Sequence, residues 1–177
     1  MAEGTNEYKL IQEIIDLSES KNYFQAFQEW DLIEVYNIDA KHDDPLTCLC
    51  GHYPIYEICH IQNKLNGNKA IVGNVCINKF FETDADFIFK CVKRLKQDIS
   101  KSMNQSMLDY ALKKGYTLHW EYTFYCKRIH KRNLNEAEVR LKIKINTKVL
   151  KQMQLQAKKY IEQYKREKEN RNKTVLE

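Results

Sequence analysis

Four of the six cysteines in this 177-residue chain fall close together, within residues 48–76. Such clustering favours a metal site over disulfides. The segment Cys48-Leu49-Cys50-Gly51 is typical of a zinc knuckle, in which two thiolates hold one ion and glycine lets the chain turn sharply beneath it. A tetrahedral zinc ion needs two further ligands, so the rest of the chain must bring two more donors to this turn.

Cys76 and Cys59 are the predicted third and fourth ligands. A β-hairpin after the knuckle can return the chain to it, so that Cys76 arrives from the first turn of the following helix, and Cys59 comes from the first hairpin strand. His52 and His60 are alternatives to Cys59, because imidazole readily replaces thiolate. Four protein ligands leave no open position, so the predicted Zn²⁺ is structural. The competing interpretation is that these cysteines are small buried residues or free thiols.

The charge of the chain is strongly asymmetric. Residues 1–47 carry a net charge of −8, residues 48–126 carry +3, and residues 127–177 carry +10. Basic side chains beside an exposed aromatic ring could bind nucleic acid, with the cations on phosphates and the ring stacked on a base. Alternatively, the basic residues form the solvated face of a helix or pair with the acidic first segment. The residues predicted to contact nucleic acid are Lys127, Arg128, Lys131, Arg132, Arg140, Lys144 and Tyr125.

The sequence carries none of the common catalytic motifs. It has no glycine-rich phosphate loop, no His-Glu-x-x-His helix and no Gly-x-Ser-x-Gly elbow, so we expect a protein that is not an enzyme. Its apolar runs are far shorter than the roughly 20 residues that cross a bilayer, so no membrane association is expected. The first residues lack the features of a secretory signal, which predicts a reducing, intracellular location.

The predicted helices and strands that carry the cysteines and the basic residues indicate an α+β fold. It is mostly helical, with a zinc-stapled β-hairpin and a long C-terminal helix. Clean alternation of aromatic and polar residues over 116–126 favours a strand. Asn135 is a plausible N-cap, with Glu138 three residues on. The expected elements are helices over 7–18 and 23–36, a hairpin of 55–61 and 70–75 around Asn66-Gly67-Asn68, helices within 77–95 and 104–114, the strand over 116–126 and a helix from 135 to about 170.

Four segments within one compact domain follow from this pattern. Trp30 and Trp120 lie on apolar faces and are expected to anchor the core. The distal turns of the long helix are expected to meet a partner helix or to lie in solvent. The segments are an acidic helical pair over 1–47, a zinc-knuckle hairpin over 48–82, helices and a strand over 83–134, and a long basic helix over 135–177.

Several of these motifs together resemble a group of small cysteine-motif proteins from large DNA viruses, phages and low-GC bacteria. The resemblance implies zinc binding and a viral or mobile-element context, in which the location would be the host cytoplasm or the virion interior. It implies no particular activity. The matching pieces are Cys48-Leu-Cys-Gly-His-Tyr-Pro-Ile, Glu57-Ile-Cys59, Asn63-Lys-Leu-Asn-Gly, Val72-Gly-Asn-Val-Cys76-Ile-Asn-Lys-Phe-Phe, Trp30, Tyr122-Thr-Phe-Tyr125, Lys131-Arg-Asn-Leu134 and Ile145-Asn146-Thr-Lys148-Val-Leu150.

Taken together, these features predict a non-enzymatic, zinc-stabilised accessory protein that binds nucleic acid through its basic C-terminal region. The alternative is a protein–protein interaction module, such as an inhibitor encoded by a virus or mobile element, or a virion component. That module would dock on a partner, or self-associate, through the C-terminal helix.

Overall fold

The computed structural model describes residues 2–41, 43–81 and 83–174. The predicted α+β class, mostly helical with a long C-terminal helix, is confirmed. In chain order the elements of this part are α1 (Ala2–Asp16), α2 (Tyr23–Gln28), β1 (Trp30–Asn37), β2 (Glu57–Asn63), β3 (Lys69–Gly73), α3 (Asn74–Phe80), α4 (Ala85–Gln97), α5 (Gln105–Lys113), α6 (His119–Cys126) and α7 (Glu136–Thr174).

The chain divides into two compact units. The first comprises residues 1–85 and 157–177, and the second comprises residues 86–156. The first unit contains the sheet, and the second contains most of α4, then α5, α6 and the first turns of α7. None of the helices in the described ranges is both long enough and apolar enough to span a membrane.

The sheet of the first unit is antiparallel, in the order β1-β2-β3. The predicted hairpin is confirmed as β2 and β3, and its turn contains Gly67 with a φ of 74°. Four successive residues of the central strand, Ile58 to Ile61, are all buried. Since neighbouring strand residues point to opposite faces, both faces of the sheet are covered.

The second predicted helix is wrong beyond residue 28. Instead of continuing to residue 36, the chain forms β1, which pairs with β2 along its length. The run Leu32-Ile33-Glu34-Val35-Tyr36 is rich in residues that favour strands, and it pairs with a ready-made hairpin. Trp30 at the start of β1 is buried and donates from Nε1 to Ser18 Oγ at 2.8 Å, as expected for a core anchor.

The predicted strand over 116–126 is also wrong, because this segment forms the helix α6. The carboxylate of Glu121 accepts a hydrogen bond from the Leu118 backbone N–H at 2.7 Å, which caps the first turn. Glu121 and Tyr125, four residues apart, are both buried on one helix face. The helix leaves Trp120 on the outside with 54% of its surface exposed, so its expected core role is wrong as well.

The start of α7 follows the sequence prediction. The Glu138 backbone N–H donates to Asn135 Oδ1 at 2.9 Å, and the Asn135 N–H donates back to Glu138 Oε2 at 3.1 Å. This reciprocal pair is a capping box. It fixes the residue at which the long helix begins.

The distal turns of α7 pack on the sheet of their own chain. The rings of Tyr160 and His60 meet edge to face with centroids 5.0 Å apart. Farther along the helix, Glu167 accepts from Lys69 of β3 at 2.9 Å. The expectation that these turns lie in solvent or meet a partner helix did not foresee this face, whereas residues 158, 159, 162, 163, 165 and 166 are exposed as expected.

Candidate metal centre

A tight turn places the first two cysteines. The Gly51 N–H donates to the Cys48 carbonyl at 2.8 Å, and the Cys48 N–H donates to the His52 carbonyl at 2.9 Å. Gly51 has a φ of 88°, a conformation that L side chains rarely adopt. A Cβ at this position would also lie 3.0 Å from Nζ of Lys9 in α1, so the lysine packs directly over the turn.

The turn is attached to the outer edge of the sheet, and this brings the third cysteine to it. The Leu49 N–H donates to the Ile71 carbonyl of β3 at 2.8 Å. Directly after β3, α3 begins at Asn74, and Cys76 lies in its first turn. Cys76 therefore arrives by the predicted route, through the hairpin and the start of the following helix.

Three thiol groups converge at this point. Cys76 Sγ lies 3.5 Å from Cys48 Sγ and 3.5 Å from Cys50 Sγ, and all three sulfur atoms are within 4.8 Å of one another. Ligands of a tetrahedral ion with Zn–S bonds of about 2.3 Å are separated by about 3.8 Å, whereas a disulfide needs about 2.05 Å. The three cysteines are free thiols, spaced as metal ligands, and they can hold a metal ion.

The environment favours a thiolate at one of these positions. A hydrogen bond from the Cys76 thiol, with backbone N–H groups of Gly73 and Cys50 in support, lowers the pKa of Cys48 to about 6 against the opposing effect of burial. The Gly73 contact measures 3.3 Å. The same bond raises the pKa of Cys76, which acts as donor, and burial raises that of Cys50. Among the three thiols, Cys48 is thus the one whose surroundings favour the deprotonated form.

Cys59 is not part of this group. It lies in the middle of β2 opposite Val35 and Val72, with 0% of its surface exposed, and burial raises its pKa. His60, the next residue, is buried in the same strand with its ring against Tyr160. The structure thus brings together three of the four predicted cysteines, and strand β2 holds the fourth inside the sheet.

His52 lies beside the cluster. Its backbone N–H donates to Cys50 Sγ at 3.4 Å, and its side chain is exposed. The imidazole is not among the grouped ligand atoms, but exposure leaves it free to rotate without disturbing the core. It is the predicted alternative ligand whose backbone already belongs to the knuckle.

Tyr125 does not have the position predicted for a residue that stacks on nucleic-acid bases. Only 1% of its surface is exposed, and its hydroxyl donates to Asn146 Oδ1 at 2.7 Å. The hydroxyl oxygen of Tyr125 also accepts a hydrogen bond from the Met103 N–H at 2.9 Å. The predicted stacking role of Tyr125 is wrong, because the ring is a core element of the second unit.

Three of the six predicted cations are paired with carboxylates. Arg128 and Lys131 both contact Glu138, at 2.7 Å and 3.1 Å. Hydrogen bonds from Arg128, Lys131 and the Asn135 backbone lower the pKa of Glu138 to about 2. On the surface of α7, Arg140 pairs with Glu136 one turn earlier. All of these residues belong to the second unit.

The other three predicted cations, Lys127, Arg132 and Lys144, are exposed. They form no ion pair with the residues that the structure describes. These three side chains are therefore available to phosphate groups, whereas Arg128 and Lys131 would first have to separate from Glu138.

Comparisons of the chain with protein-family models, with curated proteins and with solved structures give no match. Lys9 is the member of the site that the sequence does not signal, since α1 lies far from the knuckle along the chain and an isolated lysine has no recognisable spacing.

Proposed function

We propose that this protein is a non-enzymatic zinc protein whose metal centre is structural. The observation that carries the proposal is the convergence of three thiols, with Cys76 Sγ 3.5 Å from the Sγ atoms of both Cys48 and Cys50. Thiolate ligands in a tetrahedral arrangement favour zinc among the common divalent ions. The ion would join the knuckle, the end of β3 and the start of α3, which are separate in sequence.

We assign the fourth position to His52. Its backbone already contacts Cys50 Sγ, so only the side chain must turn for a ring nitrogen to reach the ion. Cys59 would have to leave the central strand of the sheet, which would break its pairing with β1 and β3. A Cys₃His site has no open position, and its metal contributes to folding without activating water.

Zinc affinity of matched variants tests this arrangement. Competition with a chromogenic chelator should show nearly complete loss of binding for Cys48→Ser and a smaller loss, of about tenfold or more, for His52→Ala. Cys59→Ala should bind zinc with unchanged affinity, and Cys126→Ser is the control for removal of a thiol elsewhere. Unchanged binding in Cys48→Ser would refute the centre, whereas unchanged binding in His52→Ala alone would refute only the fourth ligand.

A second part of the proposed function is binding to the phosphate backbone of nucleic acid. The positive charge of residues 127–177, with Lys127, Arg132 and Lys144 exposed, favours it. The burial of Tyr125 argues for electrostatic contacts without base stacking by that ring. Such binding is sequence-tolerant and weakens steeply with salt.

The salt dependence of binding tests this second part. Replacing Lys127, Arg132 and Lys144 together by Gln should reduce the slope of log K against log salt by about 2 to 3, since each phosphate contact contributes about 0.7 to 0.9. A triple variant at Lys90, Lys93 and Lys96 of α4 has the same change in charge and serves as control. An equal slope in wild type and the first variant, or no retention of nucleic acid at low salt, would refute it.

A further inference from the structure

A cavity of about 320 Å³ lies in the second unit, beside the last turns of α4. Two cationic side chains and an imidazole, from three separate segments, line it: Arg94 from α4, Lys101 from the α4–α5 connection and His130 from the α6–α7 connection. Met103 and Ile129 supply apolar wall. None of the described residues that line the cavity is acidic.

Arg94 is held in place by the chain that forms the opposite wall. Its guanidinium donates from Nη2 to the carbonyl of Ser102. The same Nη2 lies 3.9 Å from Cys91 Sγ. Both contacts use Nη2, which leaves the N–H groups of Nε and Nη1 for an anion. Lys101 is 3.6 Å from Asp98, but both side chains are about half exposed, so this pair adds little that would oppose a ligand.

The wall that contains Lys101 is fixed by a buried hydrogen-bond network. Asn146 of α7 donates from Nδ2 to the carbonyls of Ile99 at 2.7 Å and of Lys101 at 2.8 Å. The Met103 N–H donates to the hydroxyl of Tyr125. The cavity is therefore formed before any ligand arrives, which lowers the entropic cost of binding.

We propose that this cavity is a phosphate-binding site. Converging Arg and Lys side chains match a phosphate dianion in charge and in hydrogen-bond donors, and a concave site concentrates their field. A volume of about 320 Å³ holds a phosphate group with part of an attached organic moiety. The group could belong to a free nucleotide or to the end or backbone of a nucleic acid.

All residues that line the cavity belong to the second unit, whereas the three clustered cysteines belong to the first, so the proposed site does not require the zinc centre. His130 lies within the basic segment 127–132, so the cavity would bind one phosphate of a nucleic acid that contacts this segment. Binding of a nucleic-acid phosphate in the cavity rests on the second part of the proposed function, whereas binding of a free nucleotide is independent of it.

Amide chemical shifts of the full-length protein, titrated at fixed ionic strength, test the proposal. The probes are inorganic phosphate, adenosine monophosphate and a 5′-phosphorylated eight-residue oligodeoxynucleotide. Saturable shifts should centre on the amides of Ser102, Asn104 and His130. Absence of such shifts with phosphate and with adenosine monophosphate would overturn the proposal.

Variants connect the shifts to the cationic side chains. Arg94→Gln and Lys101→Gln should each weaken phosphate binding by about tenfold or more, as expected for loss of a charged hydrogen bond. Lys96→Gln, in the same turn of α4 but outside the cavity, should leave affinity within twofold. Lys101→Gln keeps the test valid if Arg94→Gln fails to fold, because it leaves the Arg94–Ser102 bond intact.

The outcomes separate the source of the phosphate from the existence of the site. Saturation by phosphate and the mononucleotide alone supports the site with a free nucleotide as its ligand. If the oligonucleotide shifts the same amides and Lys101→Gln weakens it, the ligand is nucleic acid. If Lys101→Gln binds phosphate like wild type, the proposal is overturned. Metal content measured on the same samples shows separately whether the zinc proposal holds.

Discussion

Substitution of Gly51 by alanine is the sharpest test of how the knuckle turn supports metal binding. Gly51 has a φ of 88°, and an alanine there carries a strain of about 1–2 kcal/mol because its Cβ approaches the backbone. The new Cβ would also approach Lys9 Nζ, but the flexible end of that lysine can move away. The backbone strain therefore determines the size of the effect.

The strain should appear as weaker zinc binding. Zinc binds Cys48 and Cys50 only in the tight conformation, so the strain lowers the fraction of variant molecules that can bind the ion. A penalty of about 1–2 kcal/mol corresponds to a loss in zinc affinity of roughly 5- to 30-fold. Gly51→Asn should lose less, because asparagine tolerates positive φ better than alanine.

Gly115→Ala is the matched control, measured by the same chelator competition. Gly115 also has a positive φ, 71°, but it follows α5 in the second unit, and nothing lies within 4 Å of an added Cβ. This variant should lose stability without losing zinc affinity. Equal zinc affinity in Gly51→Ala and wild type would refute the role assigned to the turn.

Three further predictions concern the fold that surrounds the two sites. Asn146→Ala removes three hydrogen bonds of a buried side chain and should lower the free energy of unfolding by about 3 kcal/mol in urea titrations; a loss below about 1 kcal/mol would contradict the network. Glu138 has a lowered pKa, so it stabilises the fold above its unfolded pKa and loses this effect as pH falls towards 2; Glu138→Gln should show a shallower loss of urea midpoint between pH 6 and pH 3, and parallel curves would count against it. Ending the chain after Gln156 removes the cover over His60, so the β2 amides should exchange faster with solvent; unchanged protection would show that the distal turns of α7 are not needed there.

Much of the fold could be predicted where a local signal decides the structure. The Asn66-Gly67 turn, the first helical turn that carries Cys76 and the capping box at Asn135 all follow from neighbouring residues. These signals act within a few positions of the chain, and they set the path that brings Cys76 to the knuckle.

The failures occur where tertiary contacts outweigh local patterns. The helix predicted over 23–36 does not continue through Trp30, because the strand-prone residues that follow pair with the hairpin. The pattern of residues 116–126 is compatible with both a strand and a helix. The hydrogen bond from the Leu118 N–H to Glu121, together with the burial of Tyr125, favours the helix. Cys59 has the right residue type for a zinc ligand, but only the three-dimensional sheet shows that its side chain is enclosed there.

Native mass spectrometry of freshly purified protein, before and after a chelator, tests the zinc centre most directly. We expect one zinc ion per chain, removed by the chelator together with the amide protection of Leu49 and Cys76, and absent from a variant with serine at positions 48, 50 and 76. Purified protein without a transition metal, whose structure is unchanged in that triple variant, would contradict a structural metal centre.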